Sequence, residues 1–192
     1  LASLQPRILG ILECAAANAA QTKLRATEGA QLRLKTYVRR QDAIIHMTNV
    51  QEFKVRVEAA YSLLKSLTEP KVSYRPTPER WSIKEVVGHL IDSAANNHER
   101  FIRLQNGNAT LLGYDQRFWV SAGNYQEMEF QSILQLWISY NDLLLSIIGS
   151  IEPESLTNVW NTQSGEQLTL SFLIEDYYGH LEHHIQKIKD RL

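Results

Sequence analysis

The chain has 192 residues, 44% of them hydrophobic, and 20 Lys and Arg stand against 21 Asp and Glu for a net charge of -1. This length suits one domain, or one domain with an appendage, and the near balance of charge gives no electrostatic case for nucleic acid binding, which would favour a basic stripe. No uninterrupted apolar run is long enough to cross a bilayer, while a single cysteine, Cys14, permits no intrachain disulfide and fits a reducing, cytoplasmic setting.

The average conceals a boundary. Residues 1–46 carry seven Lys or Arg and three acids, a net of +4, which leaves -5 for residues 47–192. All four Trp and all five Phe lie beyond residue 46. Residues 47–192 therefore read as a complete domain and residues 1–46 as an addition to it. Three readings of the addition are open. It is an extension outside the core fold, translated from upstream of a start at Met47; or a targeting peptide; or an extra helix packed on the domain. The run Ile8 to Leu12 followed by Ala15, Ala16 and Ala17 faintly resembles a secretory signal, but Glu13 interrupts it and the chain continues basic. The first reading is favoured.

In chain order, helical spacing predicts a first helix over about residues 50–68, with Phe53, Val57, Ala60, Tyr61, Leu64 and Leu67 on one face. Asn49 and Glu52 form a capping pair, and Pro70 is its expected stop. Ser73 to Pro78 should be extended, because proline disfavours helix in the residue before it. A second helix starts at the capping box Ser82-Ile83-Lys84-Glu85. Its inward stripe is Ile83, Val86, Val87, Leu90, Ala94, Asn97, Phe101 and Leu104, with His89 at the border.

Residues 105–126 then form a long connection holding Tyr114, Asp115, Phe118 and Trp119, and such a segment is usually functional or a lid. A third helix covers about 127–149, with Phe130, Ile133, Leu134, Trp137, Leu144 and Ile148 inward. Residues 158–168 suggest a small hairpin about Ser164-Gly165. Thr169 can cap a fourth helix with the stripe Leu173, Tyr177, His180, His184 and Ile188. With no strand-rich block or internal repeat after residue 46, the fold class is all-α, a four-helix bundle with a long connection between helices two and three.

The chemistry concentrates in histidines. His180 and His184 are spaced i, i+4 and project from one helix face, so two imidazoles can grip one cation, and His89 can add a third from a neighbouring helix. Three protein ligands with an open position is the arrangement of a catalytic metal. The bland alternative is that histidines on an apolar face are hydrogen-bonded core residues, and for His89 alone that reading is the better one. His183 lies on a different face and either supports the site or meets solvent, whereas His98 and His46 fall outside the cluster.

A zincin helix has His-Glu-x-x-His, with the glutamate as general base. Here Leu181 follows His180 and Glu182 should face elsewhere, so a protease of that type is not expected. No Gly-x-Ser-x-Gly elbow or phosphate-cradling glycine loop occurs. Three neutral imidazoles leave a divalent ion its full charge, which lowers the pKa of a bound water to about 7 and favours thiolate over thiol. Imidazole ligation suits Zn2+ or Ni2+ better than Mg2+ or Ca2+. Asp92, three residues after His89, can orient a ligand by a hydrogen bond. Asn96, Arg100, Tyr114 and Trp119 are candidates for substrate binding, Arg100 as the partner of a carboxylate. The rival from another class is a non-catalytic bundle that binds a metal or small ligand, or dimerises. It would have a fourth protein ligand, with His183 or Glu182 as candidates.

The segment Trp81 to Ser93, reading WSIKEVVGHLIDS, resembles the second-helix motif of the DinB-like metalloproteins, in particular the YfiT-type branch of candidate metal-dependent hydrolases and bacillithiol S-transferases. Arg100 to Leu104, Gly113 to Trp119, and Leu168 to Ile188 are similar to further blocks of that family, so the resemblance spans roughly residues 47–192. It implies an up-down-down-up four-helix bundle, often dimeric, with a divalent metal on His89, His180 and His184. It also implies transfer of a low-molecular-weight thiol, or hydrolysis of a small substrate. Residues 1–46 have no counterpart in it.

Overall fold

The computed structural model describes residues 49–192, which lie within the unit His46–Leu192. The expectations for residues 1–46 and for Cys14 lie outside the described residues. Helix α1 occupies residues 49–65 of the described chain, and Asn49 is itself helical rather than the expected cap. Pro70 does not stop this helix. It sits in the first turn of a separate short helix, α2 (Glu69–Ser73), where its missing N–H costs nothing. The longest helix, α3 (Ile83–Gln105), begins at the expected box: the Ser82 Oγ accepts from the Glu85 N–H and the Glu85 carboxylate accepts from the Ser82 N–H.

The long connection carries more structure than the sequence suggested. It contains strand β1 (Ala109–Thr110), helix α4 (Gln116–Gly123) and a 3-10 turn at Tyr125–Glu127. Asp115 caps α4 by accepting from the N–H groups of Arg117 and Phe118. Helix α5 is Phe130–Gly149, and a 3-10 turn at Pro153–Thr157 leads into β2 (Val159–Asn161) and β3 (Gln167–Thr169). The expected hairpin is there, with Gly165 at a φ of 87°. The two-residue β1, which pairs parallel to β2, is too short to leave a periodic signal. Thr169 caps α6 (Leu170–Lys189) through the Phe172 N–H.

Side-chain contacts set the helix directions. Arg191 Nη1 donates to the Trp81 carbonyl at 2.8 Å, so the end of α6 lies beside the start of α3 and the two are antiparallel. Phe53 stacks on Tyr178 at 3.9 Å, and Lys71 Nζ reaches the Arg191 carbonyl at 2.9 Å, so α1 runs parallel to α6. Lys84 reaches the Gln126 carbonyl, His98 meets the Tyr140 hydroxyl and Ser155 reaches the Gln105 carbonyl, so α3 and α5 run parallel. The order is up-down-down-up, as the family resemblance implied. Parallel neighbours cannot be joined by a tight turn, which is why the chain spends the segment from 106 to 129 returning to the same end.

The expected inward stripes of α3 and α5 are buried, and the four bundle helices share one apolar core. In α3 every residue from Ile83 to Ala94 is buried, because α4 and the Tyr125 turn cover the face that the other helices leave open. Tyr177 is fully buried, and its hydroxyl donates to Asn141 Oδ1 at 2.7 Å, which satisfies two polar groups in the core. Among the described residues, no helix is long and apolar enough to cross a membrane.

Candidate metal centre

His89 comes from the second turn of α3, and His180 and His184 from successive turns of α6. The antiparallel α3–α6 pairing brings the three together. His89 Nε2 lies 3.0 Å from His180 Nε2, and His184 Nε2 lies 3.1 Å from that same atom. Among the described residues this is the one group of three or more metal-ligating side chains, with one ligand atom from each within 4.8 Å of the others. His89 is fully buried, and the other two are half-buried.

The donor set fits a cation. A neutral ring nitrogen carries one proton or one lone pair, so His180 Nε2 can serve one of its two neighbours well, not both. Three lone pairs aimed at one ion remove the conflict. Ligand nitrogens on a tetrahedral ion with bonds near 2.1 Å are about 3.4 Å apart, close to the separations seen here.

Electrostatics point the same way. Burial first, and then the His180 charge, pushes His89 down to about 4. Burial, then His180, His89, His183 and Lys187, pushes His184 down to about 3. Burial also lowers His180, although Asp176 opposes it. The imidazoles are thus held neutral, with lone pairs available. The metal-free protein should pay for this in acid. An unfolded chain takes up protons near pH 6.5 that the folded site refuses, so this contribution is present above about pH 6.5 and lost as pH falls toward 4. Urea unfolding of metal-free protein should show its midpoint falling across that window, with a weaker fall in the variant His89→Ala. A midpoint that stays flat from pH 7 to 5 would mean solvated histidines.

The surroundings differ in part from the sequence reading. Asp92 makes no hydrogen bond to a histidine. Its Oδ1 accepts from the Tyr125 hydroxyl at 2.6 Å, its Oδ2 is buried without a partner, and burial raises its pKa. The orienting contact comes from Ser93, whose Oγ lies 3.4 Å from His180 Nδ1. Ser93 follows His89 by four residues, so helical spacing could have found it. The Trp81 ring lies 5.2 Å from His89 and covers it. His183 is exposed, beside a cleft between α1 and α6. Glu182 pairs with Arg56 of α1, away from the cluster. His98 bonds Tyr140 at 3.3 Å, outside the cluster, and His46 lies outside the described residues.

Of the substrate-binding candidates, Asn96 donates back to the Asp92 carbonyl at 2.8 Å. Arg100 lies 4.2 Å over the Trp160 ring and donates to Asn97. Tyr114 packs against Trp119 at 5.1 Å, and burial, with the Asp92 charge beside it, pushes its phenol up. A cavity of about 700 Å3 opens beside His184, and none of these four lines it. Its walls are Glu79, Arg80, Trp81, Val86, Gln116 and Arg117 on one side, and His184, Lys187, Asp190 and Arg191 of the α6 end on the other.

Comparison with known proteins agrees with this geometry. A protein of Bacillus mycoides (strain KBAB4), named a candidate metal-dependent hydrolase, is 26% identical over 123 residues, covering 60% of this chain and 70% of its own. Proteins of Bacillus cereus (strain G9842) and Halalkalibacterium halodurans with the same kind of name are 25% and 21% identical, over 73% and 74% of this chain and 82% and 84% of theirs. Among solved structures, YfiT from Bacillus subtilis, described as a candidate metal-dependent hydrolase with an unusual four-helix bundle topology, superposes with a TM-score of 0.66. It shares 18% identity over 78% of this chain and 85% of its own. The model of the DinB superfamily matches residues 52–188, most of the chain and all three histidines, and the chain belongs to that superfamily.

Proposed function

We propose that the protein is a metal-dependent enzyme that holds Zn2+ or Ni2+ on His89, His180 and His184 and transfers a low-molecular-weight thiol to a small electrophile. The convergence of three neutral Nε2 atoms carries this reading. When bound, a divalent ion on three imidazoles keeps its full charge and supplies Lewis acidity at a position open to a small molecule. The chain supplies the rest. Burial keeps the imidazoles unprotonated, Ser93 fixes the His180 ring, Trp81 shields His89 from water, and the cavity beside His184 gives access.

Transfer is preferred to hydrolysis because of what surrounds the histidines. Hydrolysis also needs a proton for its leaving group, but Glu182 is paired with Arg56 and, among the described residues, no carboxylate joins the three-histidine group. A thiolate that displaces a stable anion such as a halide needs no such proton donor. Hydrolysis of a small substrate remains the second reading, supported by the names of the relatives.

The test is thiol loss with 1-chloro-2,4-dinitrobenzene, where sulfur bonds to the ring carbon, chloride leaves and buffer takes the proton. Cysteine, glutathione and bacillithiol should be compared with metal-loaded, metal-stripped and His184→Ala protein. A rate that needs both the metal and His184 is expected. A metal-dependent rate confined to ester or amide hydrolysis would replace transfer with the second reading.

A further inference from the structure

The cavity beside His184 reverses the charge of the domain around it. Residues 47–192 carry a net of -5. Yet the cavity walls hold Arg80, Arg117, Lys187 and Arg191 against Glu79 and Asp190 alone. The cations come from two directions. Arg80 and Arg117 sit just before α3 and in the first turn of α4, whereas Lys187 lies one turn beyond His184 on α6 and Arg191 in the turn just past that helix's end. Arg191 is fixed by its bond to the Trp81 carbonyl. Among the described residues, the head groups of Arg80, Arg117 and Lys187 have neither an ion pair nor a hydrogen bond. Asp190 already accepts from Gln186 at 2.7 Å. Cations that line one cavity and outnumber the acids beside them give it a positive potential that attracts an anion.

The geometry points to a small molecule with two separated anionic groups as the ligand of this cavity: a dicarboxylate held between Arg80 and Arg117 on one wall and Lys187 and Arg191 on the other, with its reactive end beside His184. This names the substrate class for the metal centre and rests on that reading for its catalytic meaning. The binding itself needs only the cavity.

The experiment is calorimetric titration of the metal-free, full-length protein with succinate, dimethyl succinate and inorganic phosphate, at low and high salt. Succinate should bind, its neutral diester should not, and salt should weaken the affinity. Arg117→Ala and Lys187→Ala should each cost roughly tenfold in affinity, with Arg117→Lys retaining part of it. Both side chains are exposed, so neither change threatens folding. No succinate binding, or binding untouched in the double variant, overturns the proposal. So does inorganic phosphate binding more tightly than succinate, because one anionic group would then suffice. The variant His89→Ala, whose altered residue does not line the cavity, separates the two readings. Zinc bound by the wild type without any dicarboxylate binding leaves the metal centre and removes this proposal. Succinate bound equally by wild type and variant, with zinc bound by neither, does the reverse.

Discussion

Replacing Gly88 with alanine should destabilise the protein by about 2–4 kcal/mol, although alanine is the better helix former by about 1 kcal/mol. A Cβ at this position would lie 2.2 Å from both Cγ and Cδ2 of Tyr125 and 2.7 Å from its Cε2. The clash includes the root of the ring, so flipping the ring about Cβ–Cγ cannot relieve it; either the whole side chain swings to another rotamer or the backbone turn at Tyr125–Glu127 shifts. The Tyr125 hydroxyl would then lose its 2.6 Å bond to Asp92, whose other oxygen is already buried without a partner. Urea unfolding at constant m-value gives the measurement. In a Tyr125→Ala background the same glycine replacement should become neutral or stabilising, a coupling read directly from the double-mutant cycle. A gain in stability from the single change would place the Tyr125 ring elsewhere.

The second large effect is on metal binding. His89→Ala removes the fully buried member of the trio, and affinity for Zn2+ should fall by more than the roughly 10–100-fold that loss of an outer hydrogen-bond partner costs. Ligand linkage makes this visible as stability. At a free Zn2+ concentration of 100 to 1,000 times Kd, wild type should gain about 2.7–4.1 kcal/mol, and the variant should gain close to nothing. The metal-free variant folds with less buried polar surface, since His89 Nδ1 has no hydrogen-bond partner, so its own stability should change far less than its response to zinc. An equal zinc-induced shift in both proteins would take His89 out of the site.

The parts legible in the sequence are those written in local spacing. The Ser82 box, the Thr169 cap and the stripes of α3 and α5 follow from residues within a few positions of each other, and all were readable. The i, i+4 pair His180 and His184 was readable for the same reason. His89 could be proposed from its helix, but its 3.0 Å approach to His180 depends on how two distant helices pack. Pro70 misled because a proline that ends one helix and one that begins the next look alike when the helices are three residues apart. Tyr125 had no signal of its own. Its counterpart did: a glycine inside a strong helix, Gly88, marks a close approach, though not by what. The cavity cations were invisible because Arg80, Arg117 and Lys187 come from separate segments and meet only in the fold.

The antiparallel contact between α3 and α6 also sets when the centre can exist. His89 and His180 are separated by 91 positions, and the whole return segment and α5 lie between them. Contacts that distant carry a large loop-closure entropy and form late. A divalent ion therefore cannot seed folding here as it does in a zinc finger, where the ligands are close in sequence. An ion bound by these histidines would meet a finished bundle and hold the last helix in place, so its uptake should slow the undocking of α6 and leave the rate of chain collapse unchanged.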